Sequence, residues 1–148
     1  MQNVYLANLG LWLFKLHNLH WNVTGPQFVA LHNFTETLYD EVFEQYDAVA
    51  EAMKMKGDMP LVRMSQYLEA ATLEELDARD FTVEEVLDIV EADMKAMNEL
   101  AKKIRLEAVE ADDAQVQALF EGYLGYFAKQ LWFIRAIKKE ACGCCCGH

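Results

Sequence analysis

Apolar residues recur every three or four positions through four long stretches of this chain, the pattern of helices with one buried face. In residues 3–23 the row is Leu6, Leu9, Leu13, Leu16 and His20. Trp12, Phe14 and Leu19 make that stretch apolar almost all round, so burial on two sides, by core and by a neighbouring subunit, is expected. Thr24-Gly25-Pro26 ends it, and Pro26 suits the first position of the next helix. Residues 27–56 then carry Leu31, Leu38, Val42, Val49 and Met53 as a core row, with Gly57 as C-terminal cap and Pro60 blocking continuation. Residues 61–80 leave room only for a short helix over 61–70 and a crossover, in which Thr72 and Glu75 make a weak capping-box pattern. A stronger one, Thr82-Val83-Glu84-Glu85, opens a third long helix to about residue 110, with Val83, Val86, Val90, Met94, Met97, Ala101 and Ile104 in its row. Asp112 or Asp113 caps the fourth, whose row is Val116, Phe120, Tyr123, Phe127, Leu131 and Ile134. No segment shows sustained strand alternation.

Four long helices with a longer crossover between the second and third describe an all-α, ferritin-like four-helix bundle with a short extra helix in the crossover. The bundle is expected over residues 1–140, followed by a cysteine-rich tail, 141–148. A bundle without any cofactor shares much of this pattern. The polar residues set among the apolar ones separate the two.

Composition narrows the partners. At 148 residues the chain suffices for one domain with a real core. Its net charge of −11 argues against nucleic acid, because affinity for DNA comes mainly from Lys and Arg neutralising phosphates. The only clustered bases are Lys102, Lys103 and Arg105, then Arg135, Lys138 and Lys139. Lys15, His17 and Asn18 interrupt the N-terminal apolar run before membrane-spanning length, and no basic leader with a small-residue cleavage site precedes it. The expected location is the cytoplasm. Acidity suits solubility and the attraction of cations equally well.

Residues 16–57 hold three of the four histidines, His17, His20 and His32, and two i,i+4 pairs, His32/Glu36 and Asp47/Glu51. At about 100° per residue, His32, Glu36, Tyr39, Phe43, Asp47 and Glu51 share one stripe of the second helix. His32 and Asp47 are fifteen residues apart, roughly 22 Å along the axis, too far to bind one ion within one chain. An antiparallel second copy closes the gap. His32 and Glu51, and likewise Glu36 and Asp47, lie symmetrically about the point between Glu41 and Val42. A two-fold axis there sets His32 opposite Glu51 of the mate and Glu36 opposite its Asp47, with Tyr39 and Phe43 filling the apolar middle. An isologous interface makes each contact twice, so the dimer owns two identical metal sites. The last two long helices contain no histidine, which makes an intrachain di-iron centre based on Glu-x-x-His hard to build.

The run His17-x-x-His20-Trp21, then Gly25, Phe28 and Leu31-His32, with Asp47-x-x-x-Glu51 following, a proline after the second helix and a late Lys129-x-x-Trp132, resembles the Dps mini-ferritins. The likeness covers about residues 6–138. It implies a hollow shell of twelve subunits that oxidises Fe(II) with hydrogen peroxide or dioxygen at a di-iron site shared across a two-fold axis, storing the ferric mineral inside. The implied ligands are His20 and His32 of one chain with Asp47 and Glu51 of its mate. Glu36 stands where many relatives carry aspartate and reaches one methylene further, which puts the second iron's position in question. Imidazole suits Fe(II), and carboxylates accommodate Fe(III) and bridge two metals. His17 reads as a residue that orients a ligand or packs, with direct ligation as the alternative. Trp21 and Tyr39 either quench stray oxidants or simply pack at the interface.

Two further features bear on function. Glu110, Asp112, Asp113 and Glu121 cluster at the start of the fourth helix, where the family has a negatively charged three-fold pore; capping and solvation explain them equally. The tail carries Cys142, Cys144, Cys145, Cys146 and His148, soft donors for Cu(I) or Zn(II), or else a reactive segment with no metal role. Alternatives to the ferroxidase are therefore a DNA-condensing protective shell, against which the charge counts, and soft-metal sequestration through this tail.

Overall fold

The computed structural model describes the backbone of residues 1–142 and the side chains of residues 1–139. The order is α1 (Gln2–Asn22), β1 (Val23–Thr24), α2 (Phe28–Met55), α3 (Met64–Ala70), β2 (Phe81–Thr82), α4 (Val83–Glu110) and α5 (Ala114–Cys142). The four long helices form the expected bundle, α1 packing mainly along α2 and α4 along α5. The expected rows are buried, apart from Leu13 and Val83, which are half-buried at the edges. Tyr5, Trp12, Phe81, Phe120 and Phe127 are fully enclosed, Tyr5 meeting Phe120 edge to face at 5.0 Å.

A two-residue parallel bridge fixes the topology. Val23 pairs with Phe81 and Thr24 with Thr82. This puts the start of α4 beside the end of α1 and the start of α2, so α2 and α4 run the same way and the chain must return along the bundle between them. That long return is the ferritin-like connection. Three asparagines of α1 hold it down. Asn3 Oδ1 accepts from Leu61 N at 3.0 Å, Asn8 Oδ1 from Thr72 N at 2.7 Å and Leu73 N at 3.1 Å, and Asn18 Nδ2 donates to the Leu76 carbonyl at 2.8 Å.

Several boundaries differ from those expected. Pro26 does not begin α2: Gly25 has φ +116° and its carbonyl accepts from Phe28 N at 3.0 Å, closing a turn with Pro26 and Gln27 at its centre. The short helix begins at Met64, because Leu61 is tied to Asn3 and Arg63 is extended. Thr72 caps nothing; its N–H and hydroxyl are both taken by Asn8. The Thr82/Glu85 capping box forms, Glu85 N donating to Thr82 Oγ1 at 3.2 Å and Thr82 N to Glu85 Oε2 at 2.8 Å. Gly57, with φ +83°, ends α2 as expected; Asp58 N reaches the Met53 carbonyl and Gly57 N that of Lys54, both at 3.0 Å. Among the described residues no helix is long and apolar enough to cross a membrane.

Candidate metal centre

The short connection after α1 brings His20 against His32, twelve residues later, and the two imidazoles stack with centroids 3.6 Å apart. His20 Nδ1 donates to the His32 carbonyl at 2.8 Å, and His32 Nδ1 to the His20 carbonyl at 2.9 Å. A carbonyl can only accept, so both Nδ1 atoms carry a proton, and in the neutral rings Nε2 is the nitrogen with the lone pair a metal could use. Buried Thr35 reinforces the arrangement. Its Oγ1 lies 3.1 Å from His20 Nδ1 and 2.9 Å from the carbonyls of Leu31 and His32, to which it donates. Backbone and core thus set the tautomer and tilt of both rings, the orienting role that partners of metal-binding histidines perform.

His17 is oriented the same way, Nδ1 donating to the Leu13 carbonyl at 2.7 Å. Its ring stacks on Tyr39 at 4.1 Å and lies 5.5 Å from Trp21, while Tyr39 meets His20 edge-on at 5.2 Å. Burial first, then the charges of Glu36 and Asp40, push the Tyr39 phenol above its ordinary value, so it stays neutral. The row continues from His32 to Phe28 at 5.1 Å. The strip runs from core to surface: His20 is buried, His17, His32 and Tyr39 are half-buried, and Trp21 is 68 % exposed.

Glu36, Asp47 and Glu51 are all exposed on α2. The histidine pair faces α2 near its start, and Asp47 and Glu51 lie towards its other end. Among the described residues, no three His, Cys, Asp or Glu side chains of one chain gather closely enough to hold an ion. One chain therefore brings together His20 and His32 but not Asp47 and Glu51. A groove of about 560 Å³ lies between them, lined by Leu13, His17, Tyr39, Asp40, Phe43 and Glu44.

The acidic cluster at α5 divides. Asp113 caps the helix, Oδ1 accepting from Val116 N at 3.1 Å and Oδ2 pairing with Lys56 at 2.7 Å; Lys56 first, then that backbone bond, holds its carboxyl below the usual range. Glu121 is taken by Gln117 and Arg105, at 3.1 and 3.0 Å, and its carboxyl is held down in that order. Asp112, φ +54°, turns the chain out of α4, and Glu110 is exposed. Exposed Lys129 sits 5.7 Å from the Phe133 ring, and Trp132 is exposed beside it. Cys142, Cys144, Cys145, Cys146 and His148 lie outside the residues whose side chains are described.

Sequence reasoning missed two interior features. Lys15 and Asp93 form an ion pair across α1 and α4, Nζ 3.0 Å from each carboxylate oxygen, both side chains only 9 % exposed. Asp93 falls on the Val86/Val90/Met97 face, an acid in an apolar row, and that was the available signal. Tyr5 donates to Gln45 Oε1 at 2.9 Å, and Gln45 Nε2 to Glu41 Oε1 at 3.0 Å, so the bundle's middle holds a hydrogen-bonded polar chain.

The architecture defines a ferritin-like protein, and the profile of the ferritin-like domain matches residues 3–141. The DNA protection during starvation protein 2 of Bacillus anthracis is 34 % identical over 138 residues, 93 % of this chain and 94 % of that one. The corresponding protein of Brevibacillus brevis is 33 % identical over 134 residues, 90 % of this chain and 89 % of its own length. The crystal structure of a Dps protein from Bacillus brevis superposes with a TM-score of 0.88 at 31 % identity, over 92 % of this chain and 91 % of that one. Antigen TpF1 from Treponema pallidum gives 0.90 at 26 % identity, over 92 % and 87 %. The chain belongs to the Dps mini-ferritins, a family that handles iron and protects against oxidative damage.

Proposed function

We propose that two copies of this chain form a ferroxidase site in which His20 and His32 of one copy and Asp47 and Glu51 of the other bind Fe(II), with Glu36 beside them. The observation that carries this is the reciprocal His20/His32 pair, which engages both Nδ1 atoms and leaves each Nε2 for a metal, while among the described residues no three donors of one chain gather to complete a site. Exposed Phe43 and Trp21, with half-buried Tyr39, supply apolar surface for the second copy to cover. The likeness to Dps proteins supports a closed shell of twelve such subunits with the ferric mineral inside.

Iron is the substrate. Two Fe(II) each give one electron to one hydrogen peroxide; its O–O bond breaks, two protons are taken up, and two waters and two Fe(III) result. Pairing the electrons avoids the one-electron cleavage that releases hydroxyl radical. Protection of DNA, in the sense of the relatives' names, then follows from removing iron and peroxide together. At a net charge of −11 it needs no contact with the nucleic acid.

The test is anaerobic Fe(II) loading followed by a peroxide pulse, tracking ferric absorbance. His32→Ala and Asp47→Ala are each expected to abolish fast oxidation. Refolding the two variants together restores part of it, because a mixed pair keeps one complete site. Wild-type oxidation no faster than buffer sinks the ferroxidase, and absence of recovery in the mixture sinks the sharing.

A further inference from the structure

Four of the seven methionines fall within residues 53–64, at and just beyond the end of α2. We propose that one of them, Met59, is an oxygen-accepting site for hydrogen peroxide, with Lys54 as its proton donor. The turn after α2 builds this site. Gly57 N donates to the Lys54 carbonyl and Asp58 N to that of Met53, both at 3.0 Å, and the positive φ of Gly57 folds the chain back over the last helical turn. Met59 is thereby returned to Lys54, whose Nζ donates to Met59 Sδ at 3.8 Å. Met59 is 75 % exposed and borders a cavity of about 440 Å³ that Met53, Lys56 and Asp58 also line, so peroxide has access to it.

A thioether reduces peroxide by taking one of its oxygens. A sulfur lone pair attacks one peroxide oxygen, an S–O bond forms, and the O–O bond breaks with its electron pair leaving on the far oxygen. That oxygen needs a proton to leave as water. The ammonium of Lys54 supplies it and recovers one from the hydroxyl now on sulfur, a proton transfer at the reacting atoms of the kind that general acids perform. The products are methionine sulfoxide and one water, sulfur losing two electrons and peroxide gaining them. Met55 is the contrast: it is 66 % exposed, but its Sδ accepts from Gln115 Nε2 at 3.0 Å, a neutral amide that occupies a lone pair and has no proton to give. Met64, 53 % exposed, is the reference thioether. A sulfoxide reductase returns the product to the thioether, so Met59 removes one peroxide per reduction without using the iron site.

The test treats the full chain with excess hydrogen peroxide in the presence of a strong iron chelator, then follows each methionine peptide over time by mass spectrometry. Met59 is expected to gain its oxygen first, then Met64, then Met55, an order that exposure alone does not give. Lys54→Gln keeps a polar side chain without a proton to donate. Lys54 is exposed, and full positioning of a general acid is worth more than a mobile ammonium delivers, so Met59 is expected to slow about fivefold while Met64 keeps its rate. Met59 reacting no faster than Met55 and Met64 in wild type overturns the proposal. So does a Met59 rate that Lys54→Gln leaves unchanged, or lowers only in step with that of Met64. With iron chelated, failure here leaves the ferroxidase standing, and failure of the ferroxidase leaves this result standing.

Discussion

His20 and His32 each donate Nδ1–H to the other's main-chain carbonyl, at 2.8 and 2.9 Å, across the turn joining α1 to α2. The two bonds make a closed clasp: neither ring rotates without breaking its own bond and uncovering the other. The orientation of both imidazoles is therefore a property of the helical hairpin.

Thr35 is the lever on that clasp. Thr35→Val keeps its volume but removes the oxygen 3.1 Å from His20 Nδ1. Loss of an orienting partner of a ligand typically costs tenfold or more in metal affinity, about 10–100-fold. The expected outcome is Co(II) affinity down about tenfold with stability reduced by only ~1 kcal/mol. Calorimetry beside thermal melts separates the two, and a melt that collapses while affinity holds contradicts this role.

The Lys15–Asp93 pair is buried on both sides. Lys15→Met leaves a carboxylate enclosed without its partner, which typically costs about 3–5 kcal/mol. Desolvation already pushes the Asp93 carboxyl above its ordinary value, with Lys15 pulling it back, so losing Lys15 raises it further. An acid whose folded value is raised binds its proton more tightly when folded, so acidification recovers stability. Urea midpoints of Lys15→Met are expected to rise relative to wild type as pH falls from neutral into the raised range; a constant gap refutes the assignment.

Gly10 leaves room for the crossover. A Cβ there would lie 2.9 Å from Cδ2 of the buried Tyr67, whose hydroxyl donates to the Leu61 carbonyl at 2.7 Å and bonds Tyr46. Gly10→Ala is expected to lower stability by about 1–3 kcal/mol through overpacking, although alanine is the better helix former. The paired variant Gly10→Ala/Tyr67→Leu distinguishes crowding from helix propensity, since it relieves the first and leaves the second.

Asp113 caps α5 and pairs with Lys56. Its carboxyl is held below the usual range, so its contribution is complete above the unfolded value, about pH 4, and disappears as pH falls through the lowered folded value. Asp113→Ala is expected to cost about 1 kcal/mol at neutral pH, with the deficit closing at strongly acid pH. Denaturant curves at neutral and acid pH check it. A deficit independent of pH assigns the loss to something other than the ionised cap.

The four long helices, their buried rows, the Thr82/Glu85 box and the Gly57 stop were legible because each is local: a period of 3.6, a hydroxyl three residues before a carboxylate, a glycine where φ turns positive. The stripe of Glu36, Asp47 and Glu51 on α2 was legible for the same reason. Pro26 misled because its fixed φ suits a turn as well as a first helical turn, and Gly25 decided between them. Thr72 misled because Asn8, far away in sequence, claimed its polar groups.

The sequence by itself determined the helices, their faces, and the types of donor on them, since periodicity and side-chain chemistry act over a few residues. Tertiary structure alone decided which lone pairs are free. His20 faces His32 only because α1 and α2 pack antiparallel, the crossover lies where Asn3, Asn8 and Asn18 bind it, and Lys15 meets Asp93 only when α1 lies against α4. Hydrogen bonds and ion pairs between distant residues depend on the closed core that sets their distance and removes competing water, and no local pattern records that closure.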